Sequence, residues 1–348
     1  MSIKTAIVGY GYSAKTFHIP FISTSNEFIF HAVSSSKADL VGRDWPQVQH
    51  YHNADEMITH SDAELIIITA PNDVHYSLAK LALEHNKHVL IEKPFVTRSK
   101  DGEALIALAK AKGLLLSVFQ NRRYDGDYLT VKKLIDTNKL GKLHVFESHF
   151  DRFRPDVQQR WREQACDGGG ILYDLAPHLL DQVLSLFGLP QSVTASCQVM
   201  RKGASVTDYF HLLLHYPKLE VILHASLFCA GPNLRFNIQG DKGSYVKYGL
   251  DPQEDCLRGG ELPTRVNWGV ESQAHFGTFY DGKSANIFPT EAGRYQGFFS
   301  DLAQAITTGD HAFMSAKQSL NTIKLIELAM EGQATGKRVD VNFSSSTS

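Results

Sequence analysis

Cysteine is sparse in this 348-residue chain, and the four present do not cluster: Cys166, Cys197, Cys229 and Cys256 lie far apart and form no C-x-x-C. That spacing argues against a disulfide framework or a cysteine zinc site, and a reducing cytoplasm is the compartment it fits. Neither sign of charge dominates, the formal net charge being −2. No nucleic acid and no membrane surface is therefore expected as a partner. No apolar run is long enough to span a bilayer, and Met1-Ser2-Ile3-Lys4 carries no apolar signal core. Internal repeats are absent, and the one low-complexity stretch is the polar tail, set at 341–348.

Length and composition fill in the rest. Hydrophobic residues make up 43% and charged residues 21%, which leaves room for a sizeable core, and the length suggests two domains. Up to about residue 120, continuous apolar runs alternate with helical patterns. The runs Thr5 to Val8, Phe28 to Val33, Leu65 to Thr69, His88 to Glu92 and Leu114 to Phe119 read as strands, and Ala14 to Ser23, Val74 to Glu84 and Lys100 to Lys112 as helices. This is the pattern of a parallel sheet covered on both faces. From Leu143 the strands grow longer and alternate: Leu143 to Phe150, Ser192 to Val199, Tyr209 to Tyr216, Leu219 to Leu227 and Leu234 to Gln239. Two helices follow, near Gln296 to Thr307 and Ser315 to Met330. The expectation is an α/β chain with a Rossmann dinucleotide-binding domain over 1–121. An α+β domain with a large, mostly antiparallel open sheet would fill 122–340.

The turn after the first strand reads Gly9-Tyr10-Gly11-Tyr12-Ser13-Ala14, a G-x-G-x-x-A between a strand and a helix. In that context Gly9 makes the tight turn, Gly11 lets a pyrophosphate approach, and Ala14 permits close helix–strand packing. Tyr12 and Ser13 belong to the same expected cofactor contacts. At the end of the second strand, where an NAD site has Asp or Glu, stand Ser34, Ser35, Ser36 and Lys37. With no carboxylate to repel a 2′-phosphate, and hydroxyls and a lysine to bind one, this favours NADP while leaving NAD possible. A solvent-exposed polar loop with a chance lysine is the alternative.

Ligands in open α/β sheets bind beyond the carboxyl ends of the strands, so two further loops are drawn in. One carries Thr69, Pro71, Asn72 and His75, the other Glu92-Lys93-Pro94. Proline after Lys93 would hold that lysine in an extended or turn geometry, with a cis bond one of the options. There Lys93 could handle a substrate proton, or be a plain surface lysine. Farther on, Gly168-Gly169-Gly170 leads into Tyr173-Asp174-Leu175-Ala176-Pro177-His178 and then Asp181. Proline breaks helix interiors, so Pro177 is expected in a first turn with Asp174 as N-cap. Asp174, His178 and Asp181 then share one helical face, and a carboxylate beside an imidazole suits a general base.

These clusters, in this order, resemble the Gfo/Idh/MocA family, which is named for glucose-fructose oxidoreductase and inositol dehydrogenase. Leu116 to Asp125, His149 to Pro155, Arg160-Trp161-Arg162-Glu163 and Lys247 to Asp255 look like its NADP-dependent scyllo-inositol dehydrogenase branch. The resemblance implies Lys93, Asp174 and His178 as catalytic residues, and adds Asn121, Trp161 and Arg162 near the cofactor. It implies Arg123, Tyr124, Arg152 and Tyr173, with His178, around a cyclic polyol or sugar, no catalytic metal, and a homo-oligomer (dimer or tetramer) through the open sheet. Two positions depart from the family pattern: Ala176-Pro177 stands where many members have Gly-x, and Gln120 where His is common. The reaction is therefore better defined than the substrate, which could be another sugar or deoxysugar. A nucleotide-sensing regulator on the same scaffold is the reading of a different class.

Overall fold

The computed structural model describes residues 2–159, 163–311 and 315–343. It forms two compact units. One comprises Met1–Tyr124, Pro252–Gly269 and Arg294–Leu320, the other Asp125–Asp251, Val270–Gly293 and Asn321–Ser348. Among the described residues no helix is long and apolar enough to cross a membrane.

The first unit is built on six strands: β1 (Ile3–Val8), β2 (Phe28–Ser34), β3 (Gln49–Tyr51), β4 (Leu65–Ile68), β5 (His88–Ile91) and β6 (Leu116–Val118). Their order is β3-β2-β1-β4-β5-β6 and every pairing is parallel. This is the doubly wound dinucleotide-binding order, whose switch point falls between β1 and β4. Leu65 to Ile68 are fully buried, as expected of a strand covered on both faces. The sheet extends one strand beyond the apolar runs, because β3 is a three-residue edge with too little pattern to read. The later segments join this unit through aromatic packing: Phe299 stacks on Phe21 at 4.9 Å, and Phe298 meets Phe119 edge-on at 4.9 Å.

The second unit carries β7 (Leu143–His149), β8 (Ser192–Gln198), β9 (Tyr209–Tyr216), β10 (Leu219–Ser226), β11 (Leu234–Gly240), β12 (Gly243–Tyr248), β13 (Gly277–Tyr280), β14 (Ala285–Phe288) and β15 (Val339–Asp340). They form one sheet in the order β14-β13-β12-β11-β7-β10-β9-β8-β15. Only β7 and β10 pair in parallel, so the sheet is mixed but mostly antiparallel. Strand alternation sorts its faces. Phe146, Phe210, Leu212, Leu214, Val221, Leu223 and Phe236 are fully buried in one core with Leu172, Leu175, Leu179 and Val183 of the helix Gly170–Phe187. The opposite face carries Glu147, His149, His211, Ile222, His224 and Asn237, all half-buried or exposed.

That helix corrects one expectation. It starts at Gly170 with Gly169 as N-cap, so Asp174 is not the cap and Pro177 lies inside the helix. The glycines fix the early start. Gly170 has φ +81°, and a Cβ there would come within 2.7 Å of the Thr207 carbonyl oxygen. Ile171 N donates to that same oxygen at 2.8 Å. Burial of nearly the whole helix then outweighs the one backbone hydrogen bond that proline removes.

Among the described residues, Arg235 is the largest fully buried side chain. Its guanidinium donates to Asp127 at 3.0 Å, Ser148 at 2.6 Å and Gln182 at 2.7 Å. It also lies over the rings of Phe236 and Phe150, 4.1 and 4.4 Å from their centroids. Removing one partner of such a pair strands the other charge in the interior. Arg235→Met is expected to destabilise the fold by about 3–5 kcal/mol, seen as an earlier midpoint in guanidinium unfolding. An unshifted midpoint would show that Asp127 finds water or another donor.

Candidate active site

The carboxyl ends of the first sheet are tied together by backbone bonds. Gly9 N donates to Ser34 O at 2.9 Å, Thr69 N to Val8 O at 3.0 Å, and Glu92 N to Ile68 O at 3.0 Å. Gly9 has φ +94°, and a Cβ on it would come within 2.9 Å of Thr69 Oγ1, so strain and crowding both demand glycine. Gly11 differs: a Cβ there would meet no atom of the protein within 4 Å. Nothing in the chain's own packing requires glycine at 11, which fits a position kept clear for a ligand. Ala14 is fully buried, and the chain turns through a π-helical segment, Ala14–His18, before the helix Ile19–Thr24. The expected helix from Ala14 is thus present with its first turn widened, a feature common at functional sites.

Glu92 organises this end of the sheet. Its carboxylate accepts from Ser13 Oγ, from His18 Nε2 at 2.9 Å and from Lys93 N at 3.1 Å. Burial pushes its pKa upward, but the hydrogen bonds and charge of His18, with Ser13 and Lys93, outweigh burial and hold it at about 2. The next peptide bond, Lys93–Pro94, is cis. Glu92 and Ser13, expected to contact the cofactor, are thus bonded to each other. No sequence motif marks His18, which meets its partner from 74 residues away.

His75 was also expected at the cofactor, but it is fully buried. Its ring nitrogens face the carbonyls of Pro94 at 2.9 Å and Ala70 at 3.0 Å. Burial pushes its pKa below the usual histidine value, against the pull of those carbonyls. It ties the Ala70–Pro71 turn to the Lys93–Pro94 turn. Asn72 is buried in the short 3-10 turn Asn72–Val74. At the end of β2, Ser34 is buried, whereas Ser36 and Lys37 are exposed. Lys37 N donates to Ser35 Oγ at 3.0 Å, and His50 Nε2 lies 2.7 Å from Ser35 O. His50, on β3, was invisible in the sequence because that strand was.

Two residues expected around the substrate are engaged within the first unit. Arg123 Nη2 donates to Gln318 at 2.7 Å, and the buried Tyr124 hydroxyl donates to Asp301. Both lie in the 3-10 turn Asn121–Tyr124, where Asn121 is buried. The neighbouring Gln120 donates to Ser319 at 3.1 Å.

In the second unit, Asp174 and His178 share one face of the helix Gly170–Phe187. Arg152 Nη1 lies 3.8 Å from Asp174 Oδ2, so the structure brings these two predicted residues together. His178 is buried and meets the Phe150 ring edge-on at 6.2 Å. Burial, with Glu327 and Asp167 nearby, pushes the Tyr173 hydroxyl up to about 12. It stays protonated at neutral pH, and it lies 3.7 Å from Met330 Sδ. Trp161 and Arg162 lie outside the described residues.

A doubly wound sheet with a glycine turn at its switch point, joined in one chain to a large mixed sheet, has the form of a dinucleotide-binding α/β protein. Residues 3–120 match the family described as oxidoreductase family, NAD-binding Rossmann fold, and residues 132–341 match its C-terminal alpha/beta domain. The chain belongs to the Gfo/Idh/MocA oxidoreductase family. It is 43% identical over 332 residues to the uncharacterized oxidoreductase YdgJ of Escherichia coli, covering 95% of this chain and 96% of that one. With the scyllo-inositol 2-dehydrogenase (NADP(+)) IolW of Bacillus subtilis it shares 37% identity over 334 residues, covering 95% and 93%. The solved structure of the oxidoreductase yvaA from Bacillus subtilis superposes with a TM-score of 0.94 at 36% identity, covering 98% and 99%.

The depressed pKa of Glu92 has a stability consequence with a definite sign. Folding favours its ionised form, so the contribution is complete above the ordinary value of 4.5 and is lost as pH falls toward about 2. The melting-temperature gap between wild type and Glu92→Gln is expected to be widest at neutral pH and to shrink below pH 4.5. A gap independent of pH would mean that the carboxylate's charge is not what the network uses.

Proposed function

We propose that this oxidoreductase prefers NADP and interconverts a secondary alcohol and a ketone on a cyclic polyol of the scyllo-inositol type. The observation that carries the cofactor reading is the end of β2. Ser35 and Ser36 with Lys37 stand where an acidic ribose reader would repel a 2′-phosphate, and Ser36 and Lys37 are exposed. The similarity to IolW, whose name carries both scyllo-inositol and NADP(+), supports substrate and cofactor together.

A nicotinamide dinucleotide, held by the glycine turn at Gly9 and Gly11 and by Ser35 to Lys37, would supply the hydride acceptor. The chain's own residues do the rest of the work. His178 removes the hydroxyl proton, Asp174 orients and supports the imidazole, and Arg152 lies beside Asp174 at 3.8 Å. Lys93 hydrogen-bonds the reacting oxygen and stabilises its alkoxide character. Gly11 leaves room for the pyrophosphate at the start of the Ala14 turn. Arg123, Tyr124, Arg152 and Tyr173, with His178, are the polyol contacts of this reading, Arg123 and Tyr124 being held in place by Gln318 and Asp301. A homo-oligomer formed through the second unit's sheet belongs to the same reading, supported by the half-buried apolar Val145, Leu213 and Ile222 on its helix-free face.

Initial rates of NADP reduction with scyllo-inositol, run beside NAD at one pH, test the assignment. Fast turnover with NADP is expected. NADP binding without turnover would move the substrate to another sugar or deoxysugar. Lys93→Ala and His178→Ala are each expected to lower turnover by roughly 10²–10⁴-fold with NADP affinity nearly intact. Near-normal turnover in either would remove that residue from the mechanism. Ser35→Asp is expected to move preference toward NAD, and an unchanged NADP/NAD ratio would place the phosphate contact elsewhere.

A further inference from the structure

The helix-free face of the second sheet gathers imidazoles and carboxylates that the hydride chemistry does not use. The register sets His149 on β7 directly opposite His224 on β10, and His224 opposite His211 on β9. Asp151 follows β7 two residues after His149. Its Oδ2 lies 3.1 Å from His149 Nδ1 and its Oδ1 lies 2.8 Å from His224 Nδ1. One ligand atom from each of His149, Asp151 and His224 falls within 4.8 Å of the others. The His149 and His224 ring centroids are 4.7 Å apart.

We propose that His149, Asp151 and His224 form a divalent-metal site, selective for zinc-like ions, on this face of the sheet. The donor set is two imidazoles and one carboxylate, which suits zinc and its transition-metal neighbours rather than magnesium or calcium. Bonds of about 2.0–2.2 Å to one tetrahedral ion set ligand atoms about 3.3–3.6 Å apart. One ligand atom from each residue already lies within 4.8 Å of the others, so a modest side-chain adjustment brings all three onto one ion.

The surroundings also have the form of a metal site. Asp151 is held in place, its Oδ1 accepting from Ser226 N at 2.9 Å and its own N–H donating to Asn233 Oδ1 at 2.8 Å. His149 turns its other nitrogen, Nε2, to Glu147 Oε1 at 2.9 Å. Glu147 is steadied in turn by Asn237 Nδ2 at 2.9 Å. A carboxylate on the far nitrogen of a liganding histidine fixes its tautomer and raises its basicity. His211 and Tyr209 flank His224, their rings 5.9 and 5.2 Å from it. Three protein ligands leave a fourth tetrahedral position for a further donor. The site is separate from the proposed reaction, and its test does not depend on turnover.

Full-length protein stripped with a chelator would be titrated with zinc chloride by calorimetry, beside His149→Gln and His224→Gln. About one equivalent per chain is expected for the wild type, and at least tenfold weaker uptake in both variants. Glu147→Gln should weaken binding by about 10–100-fold. Cobalt(II) added to the wild type should give the intense visible absorption of a tetrahedral site, a readout needing no variant. No saturable uptake and no cobalt spectrum, or uptake unchanged in both histidine variants, would overturn the proposal and leave a hydrogen-bonded network alone.

Discussion

The carboxylate of Glu92 is the interaction on which the arrangement of the dinucleotide-binding end depends. An ionised group taken out of water is costly unless its lone pairs are satisfied. Here the satisfying donors come from three places: the glycine turn through Ser13, the widened helical turn through His18, and the following backbone through Lys93 N. One buried charge therefore couples the loop after β1 to the loop after β5. His75 repeats the device in neutral form, joining the carbonyls of Ala70 and Pro94. Polar ties of this kind are directional. They fix loop geometry in a way that apolar packing, which has no preferred angle, does not.

Much of this could be read from the order of residues, because the relevant signals are local. The parallel sheet announces itself in buried runs such as Leu65 to Ile68, and the glycine turn is recognisable by the strand before it and the helix after it. The motifs that carry the family resemblance are equally short, and the family models match the chain over nearly all of its length. What could not be read depends on partners distant in the chain. Nothing near Ser13 indicates that its hydroxyl meets Glu92, and nothing near Tyr124 indicates Asp301. Pro177 shows the limit most clearly. A rule about helix interiors was outweighed by burial along Gly170–Phe187 and by a glycine contact with Thr207, neither of which has a local signature.

The second unit uses both sides of one sheet for different purposes. Residues of one parity on β7, β9, β10 and β11 make an apolar core against a helix, with Arg235 and Asp127 as the charged pair inside it. Residues of the other parity set Glu147, His149, His211 and His224 in a polar array. A period of two in the backbone is enough to keep the two chemistries apart. A register slip of one residue would exchange the faces and bury the imidazoles, so the core also specifies where the histidines stand.

Gly9 and Gly11 differ in what each is needed for. Replacing Gly9 would offend the protein itself, through Thr69 and through its own backbone angle. A methyl group at Gly11 would touch nothing the chain supplies. A collection of variants ranked by expression or thermal endurance would therefore reject substitutions at 9 and pass those at 11 as harmless to the fold. The two positions look alike in the motif, yet only Gly9 is demanded by the chain's own packing and backbone.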